Sequence, residues 1–182
     1  MRLSYNFSRW LVLLLLVTAT TAQAGEESQY VWKSLGEPAT GIGKVGLAVS
    51  PMGDHVAQAT QVRKKPELFH VFFDGKKLAE HEFVGLGSLK FSPDGKRFAY
   101  VAGAGTTMFA VIDGKESERY SGLGESSISF SPNSNRVAFV AARGTDEFMV
   151  VDGKEGAPYE AVSPPIFSPD SAHIGYVGLK AN

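Results

Sequence analysis

The chain has 182 residues, with 18 Lys and Arg against 19 Asp and Glu and no cysteine. That length fits one domain beyond any processed segment, and a near-balanced charge whose densest basic run is Arg63-Lys64-Lys65 lacks the concentrated basic face that nucleic acid requires. Without cysteine, disulfides, thiolate metal sites and cysteine lipidation are all excluded, so an apolar core must hold the fold.

Residues 1–24 have the pattern of a secretory signal peptide. Arg2 and Arg9 flank a polar lead, Trp10 to Val17 is continuously apolar, and Ala22-Gln23-Ala24 is a small-x-small exit before Gly25. The apolar run of eight residues falls well short of the ~20 that span a bilayer, so cleavage rather than anchoring is expected. Subtracting Arg2 and Arg9 leaves 16 basic against 19 acidic residues, a net charge of −3. The mature segment, 25–182, is expected to be periplasmic or secreted, with no stable membrane span.

From there on the chain repeats itself. Ser-Pro pairs at 50, 92, 131 and 168 are spaced by 42, 39 and 37 residues. Phe73-Asp74-Gly75-Lys76, Ile112-Asp113-Gly114-Lys115 and Val151-Asp152-Gly153-Lys154 run in step with them. So do Gly41-Ile42-Gly43, Gly85-Leu86-Gly87 and Gly122-Leu123-Gly124, with Ala161-Val162-Ser163 as a degenerate copy. Three markers in one order at a period near 40 point to propeller blades. No helical periodicity longer than two turns is present.

Each unit divides into four strands. In the second, these are expected at Gly87 to Phe91, Arg97 to Ala102, Thr107 to Ile112 and Glu116 to Tyr120. In Ser92-Pro93-Asp94-Gly95, Pro fixes φ at the second turn position and Gly takes the left-handed place that ends a type I turn. Asp113-Gly114 suits a type I′ hairpin, which makes strands three and four antiparallel neighbours. Strand two is apolar on both faces: Val56, Phe98, Val137 and Ile174 precede the small column Ala57, Ala99, Ala138 and Gly175. A blade packed between two neighbours has that pattern, whereas a one-sided sheet alternates apolar with polar.

Phe-Ser-Pro-Asp-Gly-Lys-Arg-Phe-Ala-Tyr-Val at 91–101 resembles the repeat of TolB-type, WD-repeat-like β-propellers, and the resemblance extends over about residues 41–178. It implies an all-β, β-propeller-type array of four-stranded antiparallel blades, found in bacterial periplasmic proteins and in the propeller domains of some oligopeptidases. The motif specifies fold and leaves function open.

Residues 44–161 hold three whole units, and 164–179 supply strands one and two of a split or incomplete fourth. Gln29 to Trp32 and Lys33 to Ala39 stand where strands three and four of a preceding unit belong. A four-bladed ring closed by those two pairs, an open or truncated array, and a ring completed by a second copy through an open sheet edge all fit this arithmetic.

His55, Arg97, Arg136 and His173 recur at one position just after each Ser-Pro turn, forming a cationic or titratable column near one rim. They are the candidate binding residues. His70 and His81 lie across the Asp74-Gly75 hairpin, where a two-residue loop sets His70 opposite Ala79, with His81 diagonal to it. No third ligand is evident, and no metal or cofactor is expected. The aspartates of the hairpins are explained by turn chemistry, and Gly-x-Ser-x-Gly is absent. A catalytic channel needs convergent acidic or His residues on inner strands, where strand one offers Leu47, Leu89, Ile128 and Ile166. The expected role is therefore a non-enzymatic module binding a protein or envelope component. A channel enzyme and a truncated paralogue are the rival readings.

Overall fold

The four Ser-Pro turns fold strand one of each unit onto strand two. In each, the Ser N–H donates to the residue five ahead: Ser50 to His55, Ser92 to Arg97, Ser131 to Arg136 and Ser168 to His173, at 2.9–3.0 Å. The turn ends in a residue with positive φ, at Gly53 (74°), Gly95 (74°), Ser134 (65°) and Ser171 (64°). The hairpins are type I′ as expected, with φ of 48–52° at Asp74, Asp113 and Asp152 and 77–79° at the glycines after them.

The computed structural model describes residues 42–62 and 65–180. The leader at 1–24, the strand pair expected at 29–39 and most of the Arg63-Lys64-Lys65 run lie outside them. Residues Gly41–Asn182 form one compact unit. Among the described residues no helix is long and apolar enough to cross a membrane.

The first blade is β1 (Ile42–Val49), β2 (Val56–Val62), β3 (Lys65–Phe73) and β4 (Lys76–His81), paired in that order and antiparallel. The second blade has β5 (Phe83–Val84) and β6 (Lys90–Phe91), both on β7 (Phe98–Ala104), then β8 (Thr107–Ile112) and β9 (Lys115–Glu116). The third repeats this with β10 (Gly122–Leu123) and β11 (Ser129–Phe130) on β12 (Val137–Arg143), then β13 (Asp146–Val151) and β14 (Lys154–Tyr159). In the fourth unit β15 (Ala161–Val162) pairs with β18 (Gly178–Leu179) and β16 (Ile166–Phe167) with β17 (Ile174–Gly175).

Three expectations need correction. Strand one of the second blade is two short pieces because the chain turns at Gly85–Ser88. There the Ser88 hydroxyl donates to the Gly85 carbonyl and accepts from the Val101 N–H at 2.8 Å. Ser127 does the same in the third blade, accepting from Val140 N–H at 2.9 Å. Strand four of the second blade ends at Glu116, with Tyr120 returning only as a bridge to Met108, because Ser117 Oγ takes the Ala110 N–H at 3.0 Å. Counted from Ser168, Ile166 is also not in the column of Leu47, Leu89 and Ile128. Pro165 holds that place, and Ile166 faces the other side.

The two faces of each blade differ in kind. The bulky residues of strand two (Phe98 and Tyr100, Val137 and Phe139, Ile174 and Tyr176) face the preceding blade, and the small ones (Ala57 and Ala59, Ala99 and Val101, Ala138 and Val140) face the following one. Each core is thus an interface where a bulky column fills the space that a small column leaves. The first joins Ala57, Ala59 and Val71 to Phe91, Tyr100 and Phe109. The second joins Ala99, Val101 and Ala110 to Ile128, Phe130 and Phe139. The third joins Ala138, Val140 and Met149 to Phe167, Ile174 and Tyr176. Gly46 shows how closely blades approach, since a Cβ there would overlap the Leu86 carbonyl of the next blade.

Candidate functional site

The strand-two column begins immediately after each Ser-Pro turn, so its first polar residue sits at the blade margin beside the hairpin joining strands three and four. That position holds His55, Arg97, Arg136 and His173. Asp74, Asp113 and Asp152 come from the hairpins. One carboxylate oxygen of each accepts the N–H of the residue after the column position, from Val56 (2.9 Å), Phe98 (3.1 Å) and Val137 (3.0 Å). The other meets the column side chain itself: His55 Nδ1 at 2.8 Å, Arg97 Nε at 2.8 Å and Arg136 Nε at 2.9 Å.

The guanidinium groups then reach the next blade. Arg97 Nη1 donates to the carbonyls of Ser134 (3.1 Å) and Asn135 (2.8 Å), and its carbon lies 5.2 Å from the Phe130 ring centroid. Arg136 Nη1 donates to the Ala172 carbonyl at 3.1 Å, and the guanidinium carbon lies 5.6 Å from the Phe167 centroid. Both side chains keep about a third of their surface in solvent, 27% and 32%. His173 is exposed. The structure therefore places the column residues one per blade along a margin, and Arg97 and Arg136 also tie neighbouring blades together.

The turns beside the column are themselves fixed by hydroxyls. Ser92 Oγ donates to Asp94 Oδ1 at 2.6 Å and accepts from Arg97 N–H at 3.0 Å. Ser131 does the same with Asn133 (2.7 Å) and Arg136 (3.0 Å). The hydroxyl donors Ser92, Ser50 and Ser168 hold the Asp94, Asp54 and Asp170 carboxyls below the usual carboxylate range. Ser134 and Ser171, which look like lost glycines in the sequence, bond across blades, accepting the N–H of Asp94 and of Asn133 at 3.0 Å each.

The two hairpin histidines do not meet. A bulge at Leu78 shifts the register, so His70 pairs with Glu80, and His81 with Phe69 on the opposite face. His70 Nε2 lies 3.1 Å from Glu80 Oε1. His81 turns into the first interface, with Nε2 3.0 Å from the Tyr100 hydroxyl, and burial there lowers its pKa. Burial likewise pushes the Tyr100 hydroxyl up to about 12. Among the described residues no three His, Asp or Glu side chains are grouped as a metal site needs.

Further cations lie away from the margin column. Arg143 makes two bonds to Glu155, at 3.1 and 2.8 Å, and lies over Tyr120 and Phe148. Arg119 lies 4.6 Å from the Phe109 centroid and bonds Glu116 at 3.1 Å. Arg119 does not recur at its position in the other units, but Lys180 holds the place of Arg143 twelve residues after its Ser-Pro serine and lies 5.8 Å from the centroid of Tyr159, which holds the place of Tyr120. An open cavity of about 390 Å³ lies by the Gly122-Leu123-Gly124 turn, with Ser126, Glu147 and Pro164 in its wall. Its carboxylate, Glu147, already accepts the Val162 N–H at 2.7 Å.

No protein-family model matches the chain, and no curated protein matches it. Among solved structures it is similar to TolB from Acinetobacter baumannii, with a TM-score of 0.51 at 15% identity over 76% of this chain and 38% of that one. The putative TolB from Agrobacterium tumefaciens superposes with a TM-score of 0.46 at 18% identity, over 75% of this chain and 55% of that one. The β-propeller domain of Cps50 (Swd1) from Myceliophteria thermophila gives 0.44 at 12% identity, over 90% and 56%. The chain spans between 38% and 56% of the length of these structures. Its fold is that of a TolB-like β-propeller repeat protein.

Proposed function

We propose that this chain is an exported, non-enzymatic β-propeller repeat protein, acting as a protein-binding or scaffold module in the periplasm or cell envelope. Its partner is taken on the margin that carries His55, Arg97, Arg136 and His173. The observation that supports this is the recurrence of a cation or imidazole at one margin position in four successive units. In three of them a hairpin aspartate orients it. A row of held but partly exposed donors suits acidic and carbonyl groups on a protein surface. Export rests on the leader pattern at 1–24, and the periplasmic address on the resemblance of the repeat.

The test is capture from an envelope extract with the full chain and with an Arg97→Gln, Arg136→Gln double variant whose folding is checked by circular dichroism. The expected result is a retained partner that the folded double variant loses. A wild-type chain that retains nothing, or a folded variant that retains as much, overturns the reading. Export is checked separately by cell fractionation and N-terminal sequencing, with Gly25 the expected first residue.

A further inference from the structure

Every interface inside the array joins the small face of one blade to the bulky face of the next. Among the described residues, one half of that interface is exposed at each end of the array. The leading face of the first blade presents Val45, Leu47 and Val49, each nearly half exposed. In the later units Leu89 and Ile128 hold the place of Leu47, and Phe91, Phe130 and Phe167 that of Val49. These face the preceding blade, and the three phenylalanines and Ile128 are buried. The trailing face of the fourth unit presents Ile166, Val177 and Leu179 at 74%, 73% and 59% exposure. Val177 holds the place of Ala59, Val101 and Val140, which the following blade covers.

We propose that these two faces dock on each other between two copies of this chain, continuing head to tail the interface that the chain already makes three times internally. The occupant is a second copy because the two faces are the two unlike halves of one repeated contact, and both are exposed at once on the same compact unit. Their composition fits a contact that also meets water. Gln58 takes the place of Tyr100 and Phe139, and His70 that of Phe109 and Phe148. An interface formed between soluble molecules is more polar than a core in this way. A contact between unlike faces is heterologous, so it either closes into a ring or adds further copies. The proposal does not rest on the margin reading, and its test touches none of those four residues.

Sedimentation velocity of the full chain over about 1–100 μM reads it directly. The wild type is expected to move from monomer to dimer or larger species as concentration rises. Leu47→Asp and Val177→Asp should each raise the concentration of half-association at least about tenfold, with the circular dichroism spectrum unchanged. Mixing the two variants should restore a dimer, because each carries one intact half. If Leu47→Asp unfolds, Val49→Lys reads the same face. A monomer throughout the range overturns the proposal. So does loss of association with Val177→Asp but not with a folded leading-face variant, since that shows like faces pairing.

Discussion

Val140 and Val177 hold the same place in two copies of one repeat, yet Val140 is 8% exposed and Val177 is 73% exposed. Both follow a Ser-Pro turn by nine residues, and both stand on the small-column side of strand two. The difference lies in the neighbour. Val140 is covered by Phe167 and Tyr176 of the fourth unit, and Val177 has no described blade beyond it. In a tandem array, stability is the sum of unit terms and nearest-neighbour interface terms, so one residue type at one position carries different energy in different copies. The same contrast holds at the margin, where Arg136 bonds forward to Ala172 and His173 is exposed.

The largest effect should come from putting a charge at each end of that comparison. Val140→Asp buries an unpaired carboxylate and should cost several kcal/mol, roughly 3 or more, in chemical denaturation. Val177→Asp should change the unfolding free energy of the dilute monomer by no more than about 0.5 kcal/mol. Equal costs would mean that the fourth unit's trailing face is covered.

Asp152→Ala comes next. It removes the acceptor of the Val137 N–H and the partner of Arg136, and leaves alanine at φ 51°. A loss of about 1–3 kcal/mol is expected, whereas His173→Ala should stay within about 0.5 kcal/mol.

The first interface differs from the second in holding His81 beside Tyr100, and this gives it a pH dependence. Burial lowers the folded-state pKa of His81, while Glu116 opposes the shift. The unfolded chain therefore takes up the proton first as pH falls, and stability present above about 6.5 is lost as pH drops through that value toward the folded pKa. His81→Gln should flatten the slope of stability against pH between about 5 and 7. Asp54, Asp94, Asp170, Glu80 and Glu155 have lowered values as well. Their contribution is lost only at more acid pH, below about 4.5, so the two windows separate. An unchanged slope in the variant would place the titration elsewhere.

The smallest effect belongs to Ser134→Gly. It removes the bond to the Asp94 N–H but puts glycine at φ 65°, so the two changes should nearly cancel, within about 0.5 kcal/mol. Ser134→Ala loses the bond and keeps the strain, and should be the more damaging of the two in thermal unfolding.

What the sequence shows and what it hides follow from the range of the forces involved. Both turn types are legible because Ser-Pro-Asp-Gly and Asp-Gly act over four residues. The two-faced strand is legible because Phe98, Ala99 and Tyr100 alternate bulky and small with no polar face. The break in strand one is not, since it depends on Ser88 and Ser127 hydroxyls standing in the ladder of the neighbouring strand. The relation of His70 to His81 turns on a single bulged residue, Leu78, and a one-residue slip moves a side chain to the other face. The forward bonds of Arg97 span 37 and 38 residues. The column is visible in the sequence, but what each member grips depends on how the next blade docks.

Hydrogen exchange of the full chain, measured at low and high concentration, tests most directly whether the neighbour decides the fate of each copy. In dilute solution the strand-two amides of Phe98–Ala104 and Val137–Arg143 should be protected to the level of global unfolding. Those of Ile174–Leu179 should exchange at least about a hundredfold faster, and should slow as concentration rises and the trailing face is covered. Equal protection of all three strands in dilute solution would contradict the account.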